Sequence, residues 1–138
     1  MKTISEIYRR ASQHLLAQME KAVEPRSTGG YVPGCTGNRY LTSTGLRCGV
    51  GVLIPPTSYT WMLEGASVNQ LWSGITLASR DVPRIQALKE ALAEGGVNTH
   101  DSQVVGLLFN LQDCHDNYEP VDWPDRLASI GRHHGVAV

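Results

Sequence analysis

Phenylalanine is nearly missing from this 138-residue sequence: Phe109 stands alone beside three tryptophans and five tyrosines. Charge is sparse too. Charged residues make up 18%, and Lys+Arg 12 against Asp+Glu 13 leaves a net charge of -1, which excludes a strongly basic nucleic-acid binder of the ordinary kind. Nucleic acid is therefore not an expected partner. No apolar run approaches the ~20 residues of a membrane span, and the N-terminus carries no signal-peptide apolar region, so no membrane partner is expected. Cysteine is scarce and odd in number. Cys35, Cys48 and Cys114 argue against a secreted disulfide framework and for a reducing cytoplasm. What remains, 41% hydrophobic residues, suffices for one domain over 1–138 with no disulfide or metal needed for stability.

The totals conceal two asymmetries. Residues 1–50 carry seven cations and three anions (+4), and residues 51–138 carry five cations and ten anions (-5). Either the halves attract each other within one fold, or a basic face awaits an anionic ligand or an acidic partner. Glycine is uneven as well. Seven of the 14 fall between positions 29 and 51, where they permit unusual backbone angles and close approach of another chain or a ligand.

Periodicity predicts helices over 3–24, 81–94, 100–117 and 122–134. Thr3 to Glu6 has the form of a capping box, and Pro25 stops the apolar spacing that follows it. Asp81 and Asp122 stand where N-caps are expected, and either Thr99 or Asp101 opens the third helix. That helix is apolar nearly all round, which marks it as the central one. Between the first helix and the rest, 25–51 reads as a glycine-rich loop with a short hairpin of 38–41 against 46–48. Short helical turns follow over 52–65, and 66–79 reads as loop. The fold class is mainly α: a small four-to-five-helix domain with a glycine-rich insertion carrying a short β-hairpin.

Several residues could carry chemistry, each with a plainer alternative. Cys48 follows Arg47 and precedes a glycine-rich turn, and a thiol at a helix start beside a cation becomes a nucleophile, with His115 as its base. Cysteine is also among the most buried residue types. Asp116 adjoins His115, but helical neighbours point about 100° apart, so it is poorly placed to orient the ring. Cys35, Cys48 and His115 form a loose zinc set, without the close ligand spacing that makes such motifs specific. The doublets His100-Asp101 and His115-Asp116 are similar to those of HD-type phosphohydrolases, whose remaining ligands are not at suitable spacings. Gly45, Gly49 and Gly51 beside Arg39 and Arg47 suggest a backbone nest for a nucleotide or another small anion, or else a tight turn. Tyr40 and Trp61 interleave with those arginines, and aromatics with arginine are what interface hot spots prefer.

The run Gly45-Leu46-Arg47-Cys48-Gly49-Val50-Gly51-Val52-Leu53-Ile54-Pro55, with Tyr59, Glu64-Gly65, the segment Leu111-Gln112-Asp113-Cys114-His115-Asp116 and then Trp123, resembles a family of small uncharacterised proteins of tailed bacteriophages and prophages. The family pattern reads R-C-A-x-G-x-L-I-P-D, an E-G, then L-Q-x-x-H-D and a tryptophan. Gly49 replaces its alanine and Pro56 its aspartate. The resemblance spans about the last two-thirds of the chain and implies a phage setting in the host bacterial cytoplasm, with no activity attached. The expectation is a non-enzymatic accessory protein that binds a host protein for takeover or counter-defence, through Arg39, Tyr40, Arg47, Gly49, Gly51 and Trp61. The alternatives are a small-anion module using the 35–51 loop and a Cys48–His115 enzyme. A homo-oligomer stays open.

Overall fold

The computed structural model describes residues 1–23, 39–72 and 74–137. Among them the chain is mainly helical, with four α-helices and no strand. Helix α1 (Ile4–Gln18) begins with the expected capping box: Thr3 Oγ1 accepts from the Glu6 N–H at 3.1 Å, and Glu6 returns a carboxylate oxygen to the Thr3 N–H at 3.3 Å. Its apolar stripe buries Ile7, Tyr8, Ala11 and Leu15.

Helix α1 stops six residues short of position 24, at Met19, whose φ of 50° is left-handed. Tertiary hydrogen bonds outcompete the helical pattern there. The Ala22 N–H goes to the His115 ring at 2.8 Å, and the Ala22 carbonyl accepts from the Arg39 N–H at 2.7 Å. The Gln18 side-chain amide meanwhile donates to the Glu20 carbonyl at 2.7 Å.

Helix α2 (Val82–Glu94), α3 (Ser102–Asn117) and α4 (Trp123–His133) lie close to their predicted spans. Their caps agree with expectation at α3 and differ at α2 and α4. Asp101 caps α3 by accepting from the Gln103 N–H at 2.9 Å. Asp81 and Asp122 occupy N-cap positions with helical backbone angles and make no side-chain cap bond. Pro83 and Pro124 stand in the first turns of α2 and α4, where a missing N–H costs nothing.

Helix α3 is the centre. It buries Val104, Val105, Leu107, Leu108, Leu111, Cys114 and His115, beneath α1, α4 and a 3₁₀ turn at Val68–Leu71. The all-round apolar reading overshoots at one point: Phe109 turns outward and stays 39% exposed. Helix α2 packs instead on the 3₁₀ turns Trp61–Gly65 and Val68–Leu71. Trp123, fully buried at the start of α4, anchors its indole N–H on the Tyr118 carbonyl at 3.1 Å. The Tyr8 hydroxyl ties α1 to α4 by donating to the Leu127 carbonyl at 2.7 Å. Burying each such large side chain contributes about 1.5–3 kcal/mol.

The expected short turns over 52–65 are present at Gly51–Leu53, Pro56–Ser58 and Trp61–Gly65. The expected hairpin is not formed among the described residues, where one antiparallel bridge, Leu41 to Arg47, stands in its place. Outside bonds account for this. The backbone of Leu41 is taken by Glu64 and that of Arg47 by Gln18, so a ladder has nothing left to extend with. The Ser67–Gln70 capping box also gives regular structure to part of 66–79, which composition alone reads as loop. No helix among the described residues is long and apolar enough to cross a membrane.

Candidate functional site

The segment 39–56 holds most of the residues singled out above; two side-chain brackets fix it directly, and a third holds Ala22, whose carbonyl bonds the Arg39 N–H. The first is Gln18 on α1. Its amide oxygen accepts from the Arg47 N–H at 3.0 Å and its amide nitrogen donates to the Arg47 carbonyl at 2.9 Å, as a neighbouring strand would. The same carbonyl accepts from His14 Nε2 at 3.0 Å. Burial holds His14 below its ordinary pKa, and the positive charges of Arg10 and Arg47 add to the effect.

The second bracket is Glu64. One carboxylate oxygen accepts from the Tyr40 N–H at 2.9 Å, and the other accepts from the Leu41 N–H at 3.2 Å and from the Tyr59 hydroxyl. Tyr59 and Glu64-Gly65 were singled out in the sequence without a role. Together they clamp the 40–41 backbone onto the Trp61–Gly65 turn.

The third bracket is His115, fully buried and stacked on Trp123 with ring centroids 5.7 Å apart. Its Nε2 accepts from the Ala22 N–H, which requires the lone pair, so the proton sits on Nδ1 and is donated to Asp116 Oδ1 at 2.7 Å. Asp116 does orient His115, contrary to the argument from helical spacing. A carboxylate on the next residue can reach back where the ring lies along the helix end. With both nitrogens engaged, this imidazole is a structural pin with no free position for a proton transfer or a metal.

Cys48 stands at the start of a helical turn as expected, and its Sγ accepts from the Gly51 N–H at 3.2 Å. The site is sealed, however. Burial pushes the thiol up to about 12 despite the backbone donors that favour the thiolate. At neutral pH the thiol form is therefore strongly favoured over the nucleophilic thiolate. Cys114 is likewise pushed up, to about 11, mainly by burial. Among the described residues no three His, Cys, Asp or Glu side chains gather as a metal site. Cys35, the remaining member of the suggested zinc set, lies outside the described residues. The two His-Asp doublets are separated by most of α3, about 20 Å along its axis.

Gly49 and Gly51 are buried against protein. A Cβ at Gly49 would stand 3.3 Å from Leu15 Cδ1, and one at Gly51 would overlap the Tyr40 carbonyl oxygen. The N–H groups of Gly51, Val52, Leu53 and Ile54 go to Cys48 Sγ, Cys48 O, Val50 O and Gly51 O. That use leaves them unavailable for a phosphate nest. Gly45, at φ 92°, serves an exposed turn.

Tyr40 is also interior. Its hydroxyl donates to the Ala66 carbonyl at 2.6 Å, and burial raises its pKa. Arg39, Arg47 and Trp61 are the suggested contact residues that reach solvent: the arginines are half-buried and Trp61 is 74% exposed. The Glu64 bracket places Arg39, next to Tyr40, beside the turn that Trp61 opens. Arg84 on α2 lays its guanidinium across Gly65, at the other end of that turn. Sequence reasoning missed Arg84, because only the packing of α2 on this turn brings it there.

A second feature adjoins Arg47. Lys2, Arg10 and Arg47 converge on a cleft of about 450 Å³ walled by 52–56 and by the end of α2. Lys2 and Arg10 were legible only as part of the excess positive charge of the first fifty residues.

The chain matches no protein-family model, and no curated protein or solved structure is significantly similar to it.

Proposed function

We propose that this chain is a non-enzymatic binding protein of a tailed phage or prophage that engages an acidic surface of a host protein, in host takeover or counter-defence. The observation that carries the reading is Trp61: a large aromatic side chain, 74% exposed, held on a turn that Glu64 and α2 make rigid. Arg84 lays its guanidinium across Gly65 at the other end of the same turn, and Arg39 is the chain neighbour of Tyr40, whose N–H the turn's Glu64 holds. Tryptophan and arginine are the side chains most enriched among interface hot spots, and a rigid anchor loses little conformational entropy on docking. The phage setting rests on the sequence resemblance. The sealed thiol of Cys48 and the engaged ring of His115 weigh against the cysteine-enzyme alternative.

Immobilised wild-type protein should retain a bacterial protein that is lost with Trp61→Ala, and weakened with Arg39→Glu or Arg84→Glu, while a folded Cys48→Ser variant retains it. Truncating a hot-spot tryptophan costs about 2–4 kcal/mol, or some 30- to 1000-fold in affinity. Retention unaffected by all three surface changes would rule the face out.

A further inference from the structure

The cleft beside Arg47 has the composition of an anion site, built by segments far apart in sequence. Lys2 precedes α1, Arg10 lies on its outer face, and Arg47 comes from the bracketed segment; none of the three takes part in an ion pair among the described residues. Backbone carbonyls orient two of them. Lys2 Nζ donates to the Gly95 carbonyl at the end of α2, and Arg47 Nη1 donates to the Ile54 carbonyl at 3.4 Å. Arg10 makes no hydrogen bond with its side chain among the described residues and is exposed. Glu94, the carboxylate on the lining, is engaged by the Ser58 hydroxyl. Two guanidiniums with free N–H groups match the oxygen geometry of a phosphate better than that of a single carboxylate. The volume of about 450 Å³ falls within the ~300–1,000 Å³ of small-molecule sites and far exceeds a bare anion. Pro55 and Pro56 supply an apolar shelf on one wall.

We propose that this cleft binds a small phosphorylated organic molecule, its phosphate held between Arg10 and Arg47 and its organic part laid against Pro55 and Pro56. The site is distinct from the face around Trp61 and stands or falls separately from it. It also differs from a glycine nest in using side chains, since the backbone donors of 51–54 are consumed within the chain.

Calorimetric titration of the full chain with inorganic phosphate, pyrophosphate, ADP and adenosine tests the proposal. ADP should bind, with inorganic phosphate and pyrophosphate weaker and adenosine silent. Arg10→Glu should weaken ADP at least about tenfold, as loss of a charge-assisted phosphate contact does, and Arg47→Gln should do the same with its melting transition intact. Arg9→Glu, the same charge change on the neighbouring exposed position, should alter affinity less than about twofold. Adenosine binding as well as ADP, pyrophosphate binding as tightly as ADP, equal effects of Arg9→Glu and Arg10→Glu, or no binding by any of the four would each overturn it.

Discussion

A methyl group at Gly51 has nowhere to go except into the Tyr40 carbonyl oxygen, whereas at Gly49 it meets the end of a side chain, Leu15 Cδ1, at 3.3 Å. Gly51→Ala should therefore cost roughly 2–4 kcal/mol in a urea titration, and Gly49→Ala no more than about 1 kcal/mol. Cys48 invites a chemical version of the same test. With its thiol sealed and pushed up to about 12, iodoacetamide at neutral pH should leave it unmodified in the native protein and label it readily in urea. Labelling at equal rates in both states would show the site to be open. The position of Cys48 at a turn start was legible in the sequence, but its burial was not. An arginine, a cysteine and three glycines read as open loop until α1 is laid over them, and that covering is a tertiary event.

At the scale of elements, the four helices were legible because each carries its apolar stripe for three turns or more, and the end of α1 was not. Met19 and Ala22 continue the spacing, yet the chain leaves the helix at Gln18, because His115, ninety-three residues away from Ala22, claims its N–H. A pattern of neighbours cannot register so distant a competitor. Two outcomes follow from the geometry. Met19→Gly relieves a left-handed residue and should stabilise the protein by roughly 0.5–1 kcal/mol. His115→Phe keeps a ring on Trp123 but strands a buried N–H, at a cost of about 1–3 kcal/mol, and should speed hydrogen exchange at the Ala22 amide above all. Unchanged protection at Ala22 would show that the pin is not what ends α1. The brackets from Gln18 and Glu64 were equally illegible: an amide and a carboxylate on helical turns read as solvent-facing.

For the whole molecule, the division into a basic first third and an acidic remainder turns out to be only weakly self-neutralising. Among the described residues a single ion pair, Lys21 to Glu119 at 3.6 Å, crosses it. Positive charge instead gathers in the cleft. Two partly buried histidines give the molecule a pH dependence of its own. His14 and His134 are both held below their ordinary value, chiefly by burial, so the unfolded chain binds protons more readily than the folded one. Stability is complete above the ordinary histidine range near ~6.5 and is lost as pH falls from there through the lowered values. The protonated His134 would also turn a donor toward the Asn110 amide that now donates to it at 2.8 Å. Urea midpoints at pH 7.5 and 5.5 should differ more for the wild type than for a His14→Gln, His134→Gln double variant. An equal difference would place the acid sensitivity elsewhere.

The hydrogen bond from the Arg39 N–H to the Ala22 carbonyl clasps together two residues seventeen positions apart in the chain. Lengthening a connection costs only about 0.6 kcal/mol per doubling. On this entropic ground an insertion between Val23 and Arg39 should lower stability by no more than about 1 kcal/mol, and a larger loss in a urea titration would show that the clasp depends on the length it closes.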